Sequence, residues 1–182
     1  GFGDFDGDGR VDLVAHAWTG PVYFGAGDGR FNNSNRRVQT GALDIVVGDL
    51  DGDGFSDLLG RSYSTRRTIE IVYSRGQRID LGPHFQYAPP GAAASLALID
   101  WDQDRWPELL VGLDDGTLLV VPGDPGLDWD GWAPQADANA DDLHVADLDG
   151  DARPDLLTIS HAFPGKPGTT TPGAVRVLLA AA

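Results

Sequence analysis

Cysteine and methionine are both absent from this 182-residue chain. Without cysteine there is no disulfide framework and no thiol nucleophile. Without methionine, even at position 1, the chain reads as a mature or excised piece of a longer product. No apolar run approaches the ~18 residues of a membrane span, and no basic leader precedes an apolar core. Membrane insertion is therefore not expected, and any export signal has been removed or lies outside this segment. Positive charge is also scarce. Lysine occurs once, against twelve arginines, and the formal net charge is −15. Such a balance repels phosphate, so nucleic acid and anionic membranes are not expected partners. Acidic chains poor in apolar residues stay disordered, but 41% of this one is hydrophobic, in short ordered runs. The acid needs a specific explanation.

A repeat supplies it. One pattern recurs four times, at Asp4-FDGDGRVDL, Asp49-LDGDGFSDL, Asp100-WDQDRWPEL and Asp147-LDGDARPDL, with offsets of 45, 51 and 47 residues. A period of roughly 40–50 residues is that of a four-stranded propeller blade. Short apolar segments follow each copy: Val11–Ala15 and Pro21–Phe24, Asp57–Gly60 and Thr68–Tyr73, Glu108–Gly112 and Thr117–Val121, Asp155–Ile159 and Ala174–Leu179. Others lead into the last three copies: Leu43–Val47, Ser95–Ile99 and Leu143–Ala146. Runs this short, bounded by Gly, Pro and Asp, read as strands, and no segment carries a helical stripe. The expected fold is all-β, with propeller blades at residues 1–40, 41–90, 91–138 and 139–182. The chain starts at a loop, so the innermost strand of the first blade is expected to be missing.

Within each copy, carboxylates stand at relative positions 1, 3, 5 and 9. They are Asp4, Asp6, Asp8 and Asp12; Asp49, Asp51, Asp53 and Asp57; Asp100, Asp102, Asp104 and Glu108; Asp147, Asp149, Asp151 and Asp155. Alternate carboxylates in a tight loop can turn toward one centre, which suits a hard cation with oxygen ligands. The backbone carbonyl at position 7, from Arg10, Phe55, Trp106 or Arg153, would add a ligand. With no histidine in the loops and no cysteine anywhere, zinc and copper are poor candidates. Calcium is expected, up to four ions. Glycine at position 6 eases the sharp turn; Gly9 and Gly54 supply it, whereas Arg105 and Ala152 stand there in the third and fourth copies. The third copy also has Gln103 at position 4, so loop 100–108 is expected to bind most weakly. An EF-hand needs a carboxylate at position 12, which here is Ala15, Gly60, Val111 and Thr158. Sixteen of the 28 acids lie in these loops. Halophilic surface acidity is the rival account of the charge, but it does not explain that confinement.

The stretches GDFDGDGRVDLV (Gly3–Val14) and GDLDGDGFSDLL (Gly48–Leu59) resemble the FG-GAP and VCBS repeats of integrin α-subunit propellers and bacterial secreted proteins. VYFGAGDGRF (Val22–Phe31) is similar to a turn of the bacterial versions, and Ile159–Leu179 to a stretch of the integrin versions. The resemblance implies calcium loops between the first and second strands of each blade, in a ring of about seven blades. Four repeats would then be part of a larger propeller, completed by further blades of the parent chain or by a second copy; a closed four-bladed ring is the other alternative. It also implies an extracellular, secreted or cell-surface setting and a protein or carbohydrate ligand, as in adhesion or lectin modules. Propellers of secreted polysaccharide lyases and phospholipases, and scaffolds of large toxins or surface fibres, are the alternatives.

Little else points to chemistry. His16, His84, His144 and His161 are scattered without a triad or HExxH spacing. No pair of acids is left over for glycoside chemistry, so no catalytic residue is expected. Trp129 and Trp132 can stack on a sugar but are better read as packing, like Trp18, Trp101 and Trp106. Arg36, Arg37, Arg61, Arg66, Arg67, Arg75 and Arg78 read as a solvated face balancing the acidic loops. Asn32-Asn33-Ser34 is a glycosylation sequon by pattern alone. Tyr87–Gly91 and Phe163–Gly173 read as surface loops.

Overall fold

The computed structural model describes residues 1–15, 20–38, 42–65, 67–75, 84–124, 133–135, 140–160 and 174–178. Among them there is no helix. The first sheet holds β1 (Phe2–Gly3), β2 (Asp12–Val14), β3 (Gly20–Gly25) and β4 (Phe31–Val38). The second holds β5 (Ala42–Gly48), β6 (Asp57–Ser62), β7 (Ile69–Val72) and β8 (His84–Tyr87). The third holds β9 (Ala93–Ile99), β10 (Glu108–Leu113), β11 (Leu118–Val121) and β12 (Ala133–Gln135). The fourth holds β13 (Asp142–Ala146), β14 (Asp155–Ser160) and β15 (Ala174–Leu178). Every pairing is antiparallel between sequence neighbours, so each sheet is a meander.

The eleven strands read from the sequence are all present, with ends shifted by a few residues. Four others were not read. The first sheet does have a first strand, a two-residue stub in which Phe2 pairs with Leu13 and Gly3 with Asp12. The expectation that it is missing is corrected to that extent. The fourth strands β4, β8 and β12 carry no such sequence pattern, and β8 takes in Tyr87, where the sequence suggests the start of a surface loop.

Packing follows from the side-chain alternation of the second strands. Leu58 joins Phe5, Val14, Val22 and Val38 between the first two sheets. Its neighbour Leu59 joins Leu96, Leu109 and Val111 between the second and third. Leu110 turns the other way and packs with Leu143 and Leu156 of the fourth. Residues at successive positions thus serve opposite interfaces. Strands β6 and β10 are buried on both faces, which is why they read as nearly unbroken apolar runs. Each such leucine, fully buried, contributes about 2 kcal/mol relative to an exposed one. Where sheets meet, first strands lie beside each other: β1 against β5, β5 against β9, β9 against β13. The loops that leave those strands are thereby brought to one end of the stack.

Candidate metal centres

Those loops are residues 4–11, 49–56, 100–107 and 147–154. All four follow one backbone path, with positive φ at relative positions 4 and 6. The values are 77° and 80° at Gly7 and Gly9, and 68° and 87° at Gly52 and Gly54. The third loop keeps the path without glycine, at 60° for Gln103 and 84° for Arg105; the fourth has Gly150 at 84° and Ala152 at 67°. An L-residue in that region costs on the order of 1 kcal/mol, so the path is imposed by its surroundings.

Carboxylates impose it by accepting backbone N–H groups. Position 5 donates to position 3: Asp8 to Asp6, Asp53 to Asp51, Asp104 to Asp102 and Asp151 to Asp149, at 3.1–3.3 Å. Position 7 donates to position 5 at 2.8–3.0 Å, from Arg10, Phe55, Trp106 and Arg153. In loops one, two and four, position 6 donates to position 1 at 2.8–3.0 Å. These are Asx-type turns, the reason aspartate rather than glutamate recurs.

The result is a convergence of oxygens. Asp4, Asp6 and Asp8 each offer a carboxylate oxygen within 4.8 Å of the others, as do Asp49, Asp51 and Asp53, and Asp100, Asp102 and Asp104. The fourth group differs: Asp147 and Asp149 are joined by Asp155, and Asp151 is not part of it. Two oxygens in these groups lack what a buried polar atom needs. Asp49 Oδ1 and Asp100 Oδ1 are shielded from solvent and have no hydrogen-bond partner. In loops one and four the equivalent oxygen accepts the position-4 N–H at 2.7 Å, Gly7 to Asp4 and Gly150 to Asp147. A buried carboxylate oxygen without a partner is costly, and a cation satisfies it. The residues present therefore fit a hard metal ion.

Position 9 does something else as well. Asp12, Asp57 and Asp155 are buried. They accept the N–H of position 2 from Phe5, Leu50 and Leu148 at 2.8–2.9 Å, and Glu108 accepts that of Trp101 at 2.8 Å. The other oxygens of Asp12 and Asp57 accept N–H groups of Gly25 and Ser74, just where the third strand ends. These acids tie each loop to its own sheet. Burial pushes the Asp57 carboxyl up to about 7 despite its two N–H donors. Burial likewise raises Glu108, and burial followed by the charges of Asp12 and Asp8 raises Asp6.

Adjacent loops also touch. Ser56 of loop two donates its N–H to the Asp4 carbonyl at 2.7 Å, and its hydroxyl accepts the Asp4 N–H at 3.0 Å. The Ser74 hydroxyl donates to the Phe5 carbonyl at 3.0 Å.

Two of the arginines assigned to a solvated face are not merely solvated. Arg61 donates to the Ala93 carbonyl at 2.9 Å and pairs with Asp44, joining the second sheet to the third. Arg75 reaches Asp51 and Asp53 of loop two. No local pattern signals either contact. Trp101 packs partly buried against the core, and the Trp106 ring lies on Gly52, as packing residues should. His144 is exposed, and Asn32 and Asn33 lie on the exposed strand β4. His16, Trp18, Arg66, Arg78, Trp129, Trp132, His161, Phe163–Gly173 and the side chain of His84 lie outside the described residues.

Among curated proteins, none matches the chain. The FG-GAP-like repeat matches residues 4–60 and again residues 49–111, more than half of the 182 residues. Each match starts at the first carboxylate of a loop and runs on into the following repeat. On that agreement of loops, sheets and repeat matches, the chain belongs to the FG-GAP-like repeat family.

Proposed function

We propose that this chain is a segment of a calcium-stabilised β-propeller, extracellular and non-catalytic, that presents a surface to a protein or carbohydrate partner. The observation that carries the calcium reading is the convergence of three carboxylates in each of four loops, with orphaned buried oxygens on Asp49 and Asp100. Calcium would supply the positive charge that lets these carboxylates stay ionised and close together. Asp4, Asp6 and Asp8 in loop one, their counterparts in loops two and three, and Asp147, Asp149 and Asp155 in the fourth repeat would hold it, and the position-7 carbonyls of Arg10, Phe55, Trp106 and Arg153 would complete the shell. Loops one, two and four keep the ranking over loop three, whose Gln103 and Arg105 carry the backbone cost. The family supports an adhesion-type role and an extracellular setting.

Sheet order supports the propeller. Position 11 of a repeat faces the next sheet, as Leu59 and Leu110 do, and position 10 faces the previous one, as Leu58, Leu109 and Leu156 do. Leu13 at one end and Leu157 at the other are therefore turned away from the stack. Their cross-strand partners Phe2 and Val177 are 63% and 50% exposed. Such faces fit further repeats of the same kind, from the parent chain or a second copy.

Chelation tests the calcium reading. A metal that binds only the folded state stabilises it by mass action. Excess chelator should lower the Tm by several degrees, calcium should restore it, and magnesium should restore it only in part. An unchanged melting curve sinks the reading, and metal analysis should count up to four ions per chain.

A further inference from the structure

Loop two holds a cation that bridges two of its aspartates, whereas in loop one Arg10 pairs with Asp8 at 3.5 Å. Arg75 stands three residues beyond Val72, the partner of Leu58 in the sheet. Its Nη1 donates to Asp53 Oδ2 at 2.8 Å and to Asp51 Oδ2. The backbone just before it is fixed, because Ser74 donates its N–H to Asp57 at 2.7 Å and its hydroxyl to Phe5. The guanidinium carbon lies 5.7 Å from the centre of the buried Tyr73 ring, a cation–π distance that restrains it further. Arg75 is half-exposed, whereas the Asp51 side chain is 9% exposed, so the pair closes over a largely buried acid.

The equivalent positions elsewhere carry no such charge. Tyr23 pairs with Leu13 and Val121 with Leu109, as Val72 pairs with Leu58. Three residues on, the first sheet has Ala26 and the third has Asp124. In loop two the Oδ1 atoms of Asp51 and Asp53 already accept backbone N–H groups. The Oδ2 atoms are the ones left to face a cation, and Arg75 holds both.

We propose that Arg75 is a resident counter-ion of loop two, which holds Asp51 and Asp53 together in the metal-free protein and competes with a divalent cation for them. Two consequences have opposite sign. Loop two keeps its shape when metal is withdrawn, and it binds metal less tightly than its aspartates alone would allow. The ranking from the glycine pattern alone puts loops one and two level; Arg75 separates them. This inference rests on the calcium reading above.

The test is calorimetric titration of calcium into the metal-free full chain, wild type against Arg75→Gln, with melting measured in excess chelator. In Arg75→Gln one site should tighten roughly fivefold, the scale of a half-exposed ion pair. Its Tm in chelator should fall by a few degrees, while in saturating calcium it should match the wild type. Arg75→Lys, which keeps charge without the planar fork, should lie between the two. If Arg75→Gln does not fold without metal, its Tm in saturating calcium and its calcium requirement for folding are read instead, and a lower requirement than that of the wild type supports the competition. Calcium uptake with equal or weaker affinity in Arg75→Gln overturns the inference alone. An unchanged Tm in chelator overturns the counter-ion role. No uptake by either protein overturns the calcium reading and the competition with it.

Discussion

The Phe55 ring lies directly over Gly7, one sheet away, so that a Cβ added to Gly7 would overlap it. Trp106 covers Gly52 in the same way. Position 7 of one loop thus seats its ring on position 4 of the loop before it. In the next step along the stack both partners change: position 4 is Gln103 and position 7 is Arg153. Loop four keeps Gly150 at position 4 with nothing within 4 Å of an added Cβ, so there the positive φ alone accounts for the glycine.

This separates two glycines that look alike in sequence. Gly7 and Gly52 need both positive φ and empty space, whereas nothing lies within 4 Å of a Cβ built on Gly9 or Gly54. Gly9→Ala and Gly54→Ala should cost about 1 kcal/mol each, the backbone term alone. Gly7→Ala and Gly52→Ala should cost about 2–4 kcal/mol, because a half-buried ring must also move. Denaturant unfolding in calcium measures the difference, and equal costs at the two positions would show that the rings do not constrain the loops.

The loops and the strands before and after them were legible because their signal is local. Asp spacing, glycine at turns and apolar runs in β6 and β10 each fit within ten residues or so. The fourth strands were not legible. Strand β4 reads FNNSNRRV and is largely exposed, so no apolar alternation marks it. Strand β12 contains Pro134 at a sheet edge, a residue that argues against a strand until the edge is known. The second role of Asp12 and Asp57 depends on N–H groups of Gly25 and Ser74, 13 and 17 residues away, and the Arg75 pair on a residue 22 positions from Asp53. Such contacts are made by strand register, which the local pattern does not encode.

Metal-free protein should grow less stable as pH rises. Burial raises the carboxyls of Asp57 and Glu108, and burial with neighbouring acids raises Asp6, with Asp57 at about 7. A raised folded-state pKa means that the folded chain holds these protons more tightly than the unfolded one. The stability they contribute is fully present below the unfolded value near 4 and is lost as pH climbs to about 7. In chelator the Tm should therefore be higher at pH 5 than at pH 8. Calcium demands ionised carboxylates, so its stabilising increment should grow over the same range. Asp57→Asn should be less stable throughout, since one amide group then faces a backbone N–H, but its pH slope should be shallower. A chelated protein that gains stability from pH 5 to 8 would contradict the assignment.

The two ends of the stack predict self-association. Val175 and Val177 are 66% and 50% exposed, and they sit opposite Ile159 and Leu157 on the face turned away from the third sheet. At the other end Phe2 is 63% exposed and packs loosely on Phe31, with ring centroids 6.4 Å apart. The interfaces between sheets are heterologous: a face bearing position 11 meets a face bearing position 10. One molecule's Leu157 face is therefore complementary to another's Leu13 face, and contacts of this kind either close into a ring or run on as a chain. In calcium, light scattering on residues 1–182 alone should show concentration-dependent association. The pair Val175→Lys and Val177→Lys should suppress it without lowering the calcium-dependent Tm, because both side chains already face solvent. A further repeat fused beyond residue 182 should move the association to a new end face rather than abolish it, unless the added repeats close the ring. A chain that stays monomeric at every concentration would show that these faces do not recruit sheets of their own kind.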